Sequence, residues 1–534
     1  MNKFLLTAAV AFANVAAVMA QPEAIQKIIN ESETNPQAFH YLDELATRFG
    51  GRILGSDAYE NSLEWIAYQY KKWGVDVYIE ECGELPFGFN RDAWFGRILG
   101  GENINFTNLH FVTPSYTSGT HGCQRGHVVS EPHTLEELKK MKGLLKGAWV
   151  LVDGQSTGFP IGHSHKNDSI REHAKEANLE IAARNRQKMM EARRTRTTPE
   201  LESYEVAPAL FYDEMVEAGV LGFVQSAPVP LRALYDRAML DEHIVTDFDS
   251  LPTVPDIKLD ENQFAVIKKM VDERRSIELE FDIRNHFKLG PVKYFNLVGE
   301  IKGTEFPDEY VLFGAHLDSY DASTGAVDDG TGTGPLMETA RLIALSGAKP
   351  KRTIRFLSFC GEEFGLWGSL GYCKRHEQEL DKVSNMFNRD SGIEPPVGMS
   401  VPESMYEDFV AVCQPLVEYN DPKFPAFTVQ VNKNPRVQPK ALGGSDDSTF
   451  GMHGVPIINF VVDDVFGTNF NYQEIWHTER DILNKQVPEY QQRTALVQAI
   501  VGLGVANLDH QLTRENIWGE APAPAATKAK GKKK

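Results

Sequence analysis

The chain has 534 residues, of which 42% are hydrophobic and 24% are charged, and its formal net charge is -19. This length exceeds one compact core and indicates two globular units, or one unit with a large insertion. The acidic balance argues against a nucleic-acid partner, because phosphate binding needs a basic face. The 5 scattered cysteines exclude a disulfide-framework protein and offer no CxxC zinc pair, although one bridge could form in an oxidising compartment.

The N-terminus has the features of an export signal. Lys3 precedes an apolar run that extends from Phe4 to Met19, and the run ends in Val18-Met19-Ala20, with small residues at the two positions that a signal peptidase reads. We therefore expect residues 1–20 to be a cleaved signal peptide, with cleavage after Ala20, and the protein to be secreted or periplasmic. No other stretch approaches the roughly 18 apolar residues of a membrane helix, so no integral membrane span is expected.

Residues 21–117 are predicted to form the N-terminal part of the main domain. Their clearest element is an amphipathic helix from Tyr59 to Trp73, which has apolar residues on one face and ends at Gly74. The turn-rich stretch GGRILGSDAYE precedes this helix. It contains Arg52 and Ser56, whose roles could be structural or functional.

Residues 118–283 have a different sequence pattern from the preceding residues and are predicted to be an inserted β-rich domain. Short β-like segments such as GAWVLVDG and AGVLGFVQS flank a charged helical stretch from Ser169 to Arg196. Acidic residues interleave the arginines of this stretch and aromatic residues do not. We therefore interpret the helix as a solvated face and not as a nucleic-acid surface.

Residues 284–515 alternate between strand and helix patterns. YVLFGAHLD and RTIRFLSFCGEE predict strands, GTGPLMETARLIALSG predicts a helix, and NMFNRDSG and VPIINFVVDD are further strand candidates. The alternation predicts an α/β fold with a mixed, mostly parallel sheet flanked by helices, whose chemistry gathers at the carboxyl ends of the strands. The Ala/Pro/Lys tail, residues 516–534, is expected to be disordered.

Histidines and carboxylates collect where these strands end. They are His316, Asp318, Asp328, Asp329, Glu362, Glu363, Asp390 and His477. Crowded carboxylates repel one another unless a cation lies between them, and imidazole with carboxylate is the ligand set expected for zinc. One acidic loop residue is usually just solvated. Two histidines, two aspartates and one glutamate from this set are more ligands than one zinc needs, and five ligands suit a two-metal site with one bridging carboxylate.

The doublet Glu362-Glu363 suggests a division of labour. Consecutive residues beyond a strand point in different directions, so one carboxylate can bind metal while its neighbour acts as a general base on a water molecule. Asp318 lies two residues after His316 and is placed to accept the imidazole N–H that the metal does not use.

The ordered segments GAHLDS, GAVDDGTGTG, CGEEFGLWGS, NRDSG and WHTERD resemble the co-catalytic zinc exopeptidases that include bacterial leucyl aminopeptidases. The likeness is greatest to the plasma glutamate carboxypeptidase branch of that family. It covers about residues 295–508 and extends to the segment around the first amphipathic helix. The inserted region resembles the protease-associated domain of several members.

This resemblance implies two Zn2+ ions per chain and a role for each site residue. By resemblance, Asp328 bridges both ions, His316 and Asp390 complete one site, Glu363 and His477 complete the other, and Glu362 is the base. It also implies a cis peptide bond between Asp328 and Asp329. The segment GGSDDSTF resembles a family segment that reads Ser-Asp-His but has Asp447 in place of His, which leaves its role open between substrate-end recognition and support of the ligands.

The resemblance implies a secreted metallo-exopeptidase that hydrolyses dipeptides or short peptides through a metal-bridged hydroxide, with aminopeptidase, carboxypeptidase and dipeptidase left open. One alternative is a glutaminyl cyclase-like acyltransferase with a single zinc, which would not need both His316 and Asp390. Another is a non-catalytic receptor on the same fold, which would lack ligands or the base, whereas none is missing here. The expected partner is a short peptide, and a homodimer is left open.

Overall fold

The computed structural model describes residues 22–101, 104–237, 240, 248–390 and 392–520. The predicted signal peptide and residues 521–534 of the predicted tail lie outside these ranges. Among the helices of the described ranges, none combines the length and the apolar character that crossing a membrane requires. The described cysteines are all free thiols, so the bridge that the sequence allowed is not formed there.

The helices of the described residues are α1 Pro22–Thr34, α2 Ala38–Asp43, α3 Asp57–Trp73, α4 Leu135–Leu145, α5 His165–Thr195, α6 Tyr212–Glu217, α7 Glu261–Asp272, α8 Gly330–Ser346, α9 Trp367–Arg375, α10 Tyr406–Tyr419, α11 Asp447–Met452, α12 Tyr472–Ile475 and α13 Pro488–Ala506. A π-helical turn, Glu44–Phe49, continues α2, and short 3-10 turns cover Phe248–Ser250, Glu377–Lys382, Glu403–Met405 and Leu483–Lys485.

The strands are β1 Asp76–Gly100, β2 Phe111–Val112, β3 Gln124–Ser130, β4 Ala148–Gln155, β5 Gly222–Ala227, β6 Asp256–Asp260, β7 Ile277–Ile301, β8 Phe306–His316, β9 Arg352–Phe359, β10 Val383–Asn388, β11 Pro396–Val401, β12 Thr428–Val431 and β13 Phe460–Val462. Within the described ranges, ten strands form one sheet in the order β10-β8-β9-β7-β3-β4-β5-β6-β2, with β1 paired to β7. A separate sheet of three strands has the order β12-β11-β13.

The predicted α/β fold is confirmed, and its centre is the parallel set β10-β8-β9. Phe313 on β8 pairs with Phe356 on β9 and with Phe387 on β10. The ring of Phe313 stacks on both neighbours, with centroids 6.1 and 4.9 Å apart. Because β8 lies between two parallel neighbours, the carboxyl ends of all three strands reach the same edge of the sheet.

The predicted amphipathic helix is present as α3, and its ends have physical causes. The Ser56 side chain accepts a hydrogen bond from the Tyr59 backbone N–H, which caps the helix at its start. Gly74 ends the helix in the left-handed conformation with φ 78°, which glycine adopts without steric cost. The apolar face, including Ile66 and Tyr70, is fully buried.

Helix α8 crosses over between β8 and β9 and is buried along most of its length. Its glycine-rich start allows a close approach of the backbone. A Cβ atom at Gly332 would come within 2.2 Å of the Arg389 carbonyl oxygen. The glycine therefore lets the segment after β10, which carries Asp390, lie against the start of α8.

The inserted region contains more helix than the β-rich domain that its sequence pattern predicted. Strands β3, β4, β5 and β6 pair in parallel, and α4, α5 and α7 accompany them. These strands share an apolar cluster around Trp149 and Phe281. The region therefore has an α/β character, and its assignment as a protease-associated domain stays a prediction.

The 25-residue strand β7 belongs to both parts of the large sheet. Its first residues pair with β3 of the inserted region, and its last residues pair with β9 of the main domain. Strand β1 is antiparallel to β7 from Asp76, which faces Glu300, to Gly100, which faces Ile277. Strand β7 thus extends across the boundary that we predicted at the end of the inserted region, between residues 283 and 284, whereas β1 ends at Gly100, before the predicted start of that region.

Candidate metal centre

The sequence-predicted site residues converge at the carboxyl edge of the parallel strands. His316 is the last residue of β8, Glu362 and Glu363 follow β9, and Asp390 follows β10. Asp328 lies just before α8. His477 comes from the loop after α12 and completes the group.

The first cluster contains His316, Asp328 and Asp390. The Nε2 atom of His316 lies 3.2 Å from Oδ1 of Asp328 and 3.8 Å from Oδ1 of Asp390. The ligand atoms of these three residues all lie within 4.8 Å of one another. The imidazole is fully buried, so its second nitrogen also needs a partner within the protein.

The second cluster contains Asp328, Glu363 and His477. The Nε2 atom of His477 lies 2.9 Å from Oε2 of Glu363 and 3.7 Å from Oδ2 of Asp328. Burial lowers the pKa of His477 to about 4, so its ring is neutral at physiological pH and can offer a lone pair. Its backbone has a positive φ of 57°, a conformation that few non-glycine residues adopt.

Asp328 is therefore common to both clusters, with one carboxylate oxygen facing each histidine. The peptide bond that joins it to Asp329 is cis. Asp329 itself has a supporting position: its carboxylate accepts hydrogen bonds from the backbone N–H groups of Gly332, at 2.9 Å, and His316, at 3.2 Å. This carboxylate thus ties the start of α8 to the end of β8.

The loop that carries Asp328 is held by two residues distant in sequence. Asp481 accepts backbone hydrogen bonds from Val327, at 2.6 Å, and from Asp328, at 3.2 Å. The buried Arg52 guanidinium donates to the backbone carbonyls of Leu317, Gly50, Thr324 and Gly325. The sequence leaves the role of Arg52 open, and it places Asp481 at the end of the segment WHTERD without a predicted role.

Asp318 differs from its predicted contact. The Nδ1 atom of His316 bonds at 2.8 Å to the backbone carbonyl oxygen of Asp318, while the nearest oxygen of the Asp318 carboxylate lies 3.8 Å away. That carboxylate instead accepts the backbone N–H groups of Glu362, at 3.1 Å, and Glu363, at 3.3 Å. The tight turn after β8 brings the carbonyl closer to the ring, and the side chain fixes the glutamate doublet.

Glu362 and Glu363 occupy different positions, as expected for consecutive residues. Glu363 belongs to the second cluster, whereas Glu362 belongs to neither and lines the adjacent cavity. Burial raises the pKa of Glu362 well above its usual range. The protonated form of this carboxyl is therefore easier to reach than that of an exposed glutamate.

The residues present fit divalent cations. Burial of Glu363 raises its pKa well above the usual range, and the charge of the neighbouring Asp328 carboxylate acts in the same direction. The Oε1 atom of Glu363 is buried and has no hydrogen-bond partner. A cation would satisfy this oxygen and relieve the repulsion between the carboxylates. Ligand atoms on one tetrahedral zinc lie about 3.3 Å apart, given metal–ligand bonds of about 2.0–2.2 Å. The separations of 2.9 to 3.8 Å within the two clusters are close to this value.

A cavity of about 490 Å³ opens onto both clusters. Its walls include the rings of Tyr472 and Trp476 and the backbone of Gly443. The exposed Arg237 also lines it, and a Cβ atom at Gly365 would come within 2.2 Å of the Arg237 guanidinium. An arginine side chain thus lies directly over the turn that follows the glutamate doublet.

Arg237 is brought there by a segment of the predicted inserted region. Two residues earlier, the Tyr235 hydroxyl donates a hydrogen bond of 2.8 Å to the backbone carbonyl of Glu363. The Tyr235 ring stacks on Phe364 with centroids 4.2 Å apart. No local sequence signal pointed to this segment, because its partners lie more than a hundred residues further along the chain.

The segment GGSDDSTF divides into two parts with different roles. Asp447 accepts a hydrogen bond of 2.7 Å from Arg436. The neighbouring Asp446 is fully buried, and neither of its carboxyl oxygens has a hydrogen-bond partner among the described residues. Burial raises the pKa of Asp446 to about 8, and the charges of Asp318 and Asp390 contribute in the same direction. The protonated form of Asp446 is therefore easier to reach than that of an exposed aspartate.

Comparison with known proteins identifies the part of the chain that carries this site. Residues 296–501 match the model of Peptidase family M28. The matched range includes all the residues of the two clusters. This part of the chain is therefore similar to Peptidase family M28, and the predicted resemblance to zinc exopeptidases is confirmed at the level of that similarity.

Two curated relatives illustrate the match. Carboxypeptidase Q of Mus musculus is 26% identical over 324 residues, which are 58% of this chain and 63% of that protein. A protein of Pyrenophora tritici-repentis named "Probable zinc metalloprotease" is 37% identical over 108 residues, which are 19% of this chain and 24% of that protein. The chain thus spans less than two thirds of the length of the curated relatives it matches.

A solved structure shows the same fold over nearly the whole chain. The crystal structure of a Peptidase M28 precursor from Shewanella amazonensis superposes with a TM-score of 0.54 at 22% sequence identity. The superposition covers 93% of this chain and 99% of that one. At this level of identity the similarity supports the fold, and the function has to be argued from the site.

Proposed function

We propose that the chain is a zinc-dependent exopeptidase that hydrolyses dipeptides or short peptides. The observation that carries the proposal is the position of Asp328, whose two carboxylate oxygens face the histidines of two separate ligand clusters. The names of the relatives, carboxypeptidase Q and a probable zinc metalloprotease, support a peptidase activity and zinc as the metal.

In this proposal the chain holds two zinc ions. His316 and Asp390 would hold one ion, Glu363 and His477 would hold the other, and Asp328, which belongs to both clusters, would serve both ions. When bound, paired zinc ions acidify a water molecule and polarise the scissile carbonyl group. The buried Asp318 and Asp481 keep the ligand loops in place through hydrogen bonds to their backbones.

Glu362 is the proposed general base. Its carboxylate takes a proton from the attacking water and delivers it to the nitrogen of the leaving amine as the C–N bond breaks. The raised pKa of Glu362 supports this role, because a base must hold the proton between the two transfers. The backbone of Glu362 is fixed by Asp318, so its side chain can reach the cavity in a defined orientation.

The cavity favours small substrates with a free carboxylate. Its volume of about 490 Å³ is in the lower part of the range of ligand sites, and the aromatic residues Tyr472 and Trp476 line it. The Arg237 guanidinium on its wall can pair with the C-terminal carboxylate of a short peptide in a two-pronged contact. We therefore propose a dipeptidase or carboxypeptidase, and export by the expected signal peptide would place it in the periplasm or outside the cell.

The alternatives to a two-zinc peptidase are less well supported. A glutaminyl cyclase-like acyltransferase with a single zinc would not need the two complete clusters that share Asp328. A receptor without activity would not need the half-buried Glu362 beside them. The following experiment also tests the single-zinc acyltransferase and the receptor without activity.

The test is the substitution Glu362→Gln, with Glu377→Gln as the matched control because Glu377 is exposed and outside the site. Metal content by mass spectrometry and the hydrolysis rate of a dipeptide panel are measured for both variants and the wild type. We expect two zinc ions per chain in all three proteins and a loss of hydrolysis of about 10²–10⁴-fold in E362Q alone. Unchanged hydrolysis in E362Q would refute the role of the base, and one zinc ion per wild-type chain would refute the paired site.

A further inference from the structure

A second and larger cavity, of about 710 Å³, lies outside the metal centre. It is bounded by the α1–α2 connection, the end of α10 and the first turns of α13. None of the residues that line it also lines the cavity at the metal clusters. The peptidase chemistry proposed above gives this cavity no role.

The most unusual group on its wall is the guanidinium of Arg493. This residue is only 3% exposed, and its Nε and Nη1 atoms are buried without a hydrogen-bond partner. Among the described residues, no carboxylate lies within ion-pair distance of it. Its guanidinium carbon instead lies over the rings of Phe424, at 5.1 Å, and Phe427, at 6.0 Å.

A buried cation without a hydrogen-bonding partner is costly for a folded protein. Aromatic faces attract the charge, but they leave the N–H groups of the guanidinium unsatisfied. A carboxylate is a natural complement of a guanidinium, because its oxygens accept charge-assisted hydrogen bonds from the N–H groups. The geometry at Arg493 therefore favours a ligand that brings a carboxylate into the cavity.

The other walls restrict what can accompany that carboxylate. Phe39, Tyr419 and Phe424 give the cavity an aromatic surface. Asp421 and Glu489 also line it and make its edge acidic. Acidic groups repel a ligand that carries only negative charge, and they attract the ammonium group of a zwitterion.

We propose that this cavity binds a free amino acid with a large apolar side chain. The α-carboxylate pairs with Arg493, the side chain lies among the aromatic rings, and the α-ammonium group faces the acidic edge. The proposal does not depend on the function of the metal centre, because no residue of that centre takes part in it.

The experiment measures binding to the full-length, metal-loaded protein by isothermal titration calorimetry. The probes are L-phenylalanine, phenylalaninamide, N-acetyl-phenylalanine and inorganic phosphate. We expect L-phenylalanine to bind and the amide, which lacks the carboxylate, to bind at least about 10-fold more weakly. N-acetyl-phenylalanine, which lacks the ammonium group, is also expected to bind more weakly. Absence of phenylalanine binding, equal binding of the amide, or tight binding of phosphate would overturn the proposal.

Variants separate this cavity from the metal centre, where an amino acid could also bind. Arg493→Met is expected to abolish one binding event, whereas Arg237→Gln, at the metal cavity, is expected to leave that event intact. Loss of this event in R237Q and not in R493M would overturn the assignment.

The melting temperature without ligand distinguishes a binding role for Arg493 from a structural one. We expect R493M to melt at or above the wild-type temperature, because an apolar chain of similar length replaces an unpaired buried cation. Arg493→Lys keeps the charge and is expected to retain the fold with weakened binding. A large drop in the melting temperature of both variants would mark Arg493 as structural and overturn the proposal.

Discussion

Asp481 accepts a hydrogen bond of 3.2 Å from the backbone N–H of Asp328, the residue shared by the two ligand clusters. The second oxygen of Asp481 accepts the N–H of Val327 at 2.6 Å. Asp481 is almost fully buried, so it connects the loop after His477 directly to the loop before α8. The relative position of the two clusters therefore depends on this carboxylate.

We predict that Asp481→Asn weakens the metal centre without unfolding the protein. An amide offers only one acceptor oxygen, so one backbone N–H of the Asp328 loop loses its partner. Supporting residues of this kind typically contribute about 10–100-fold in metal affinity or activity. Zinc affinity by competition with a chelator and the dipeptide hydrolysis rate check the prediction. Asp76→Asn, at an exposed position, is the control, and equal zinc affinity in both variants would contradict the role of Asp481.

Arg237 yields a prediction about the substrate end. If its guanidinium holds the C-terminal carboxylate, Arg237→Gln should raise KM for a free dipeptide by about 10-fold or more, since a charge-assisted bond is lost. KM for the corresponding dipeptide amide should change little. Steady-state kinetics on the two substrates provide the comparison, with the exposed Arg194→Gln as the control. A similar change for both substrates would show that Arg237 does not recognise the carboxylate.

His110 connects the inserted region to the loop of His477, and this contact should make stability depend on pH. Its ring nitrogens lie 2.7 Å from Glu479 and 3.1 Å from Asp260. The hydrogen bond to Glu479, with a further contribution from Asp260, raises the pKa of His110 from 6.5 to about 9. The stabilising contribution is therefore complete below pH 6.5 and is lost as the pH rises through about 9.

The corresponding measurement is the melting temperature of the wild type and of His110→Gln between pH 6 and about pH 10. The wild type should lose more stability than H110Q across this interval, because only the wild type releases the proton held by the two carboxylates. His121→Gln, at an exposed position, should follow the wild-type curve. Parallel curves for the wild type and H110Q would contradict the prediction.

Removal of metal should destabilise the fold around Asp328. Without cations, the buried carboxylates of Asp328, Glu363 and Asp390 repel one another or must take up protons. We expect a chelator to lower the melting temperature and added zinc to restore it, because metal binding is coupled to folding. In Asp328→Asn the chelator should have a much smaller effect. An identical response of the variant and the wild type would argue that the metal binds elsewhere.

The site was predictable where its residues belong to short strand-loop segments. The ends of β8, β9 and β10 carry their ligands within a few residues of an apolar strand, so a local pattern sufficed to group His316, Glu363 and Asp390. Contacts between segments that are distant in the sequence could not be predicted from such local patterns. Asp481 and Arg237 reach the centre through the tertiary fold. Asp481 ends the segment WHTERD, but no local pattern gives it a role, and Arg237 has no neighbouring sequence signal.

The fold showed the same division. The α/β alternation after residue 284 predicted the parallel strands, because apolar strands and a glycine-rich helix start leave a clear pattern. In the inserted region, helices such as α7 pack a narrow apolar stripe on the sheet, and the short apolar strands dominated the pattern. The side-chain role of Asp318 was also beyond sequence reasoning, because a backbone carbonyl and a carboxylate of one residue compete for the same imidazole N–H.

The ribbon formed by β1 and β7 has a consequence for how the chain could be rearranged. Gly100 and Ile277 face each other at its far end, so the residues between them leave and return at the tip of one hairpin. A tight two-residue turn could close that tip, since such turns join adjacent antiparallel strands. The intervening segment is thus connected to the rest of the chain through the end of this two-stranded ribbon. Exchange of the segment between homologues would therefore also exchange Tyr235 and Arg237.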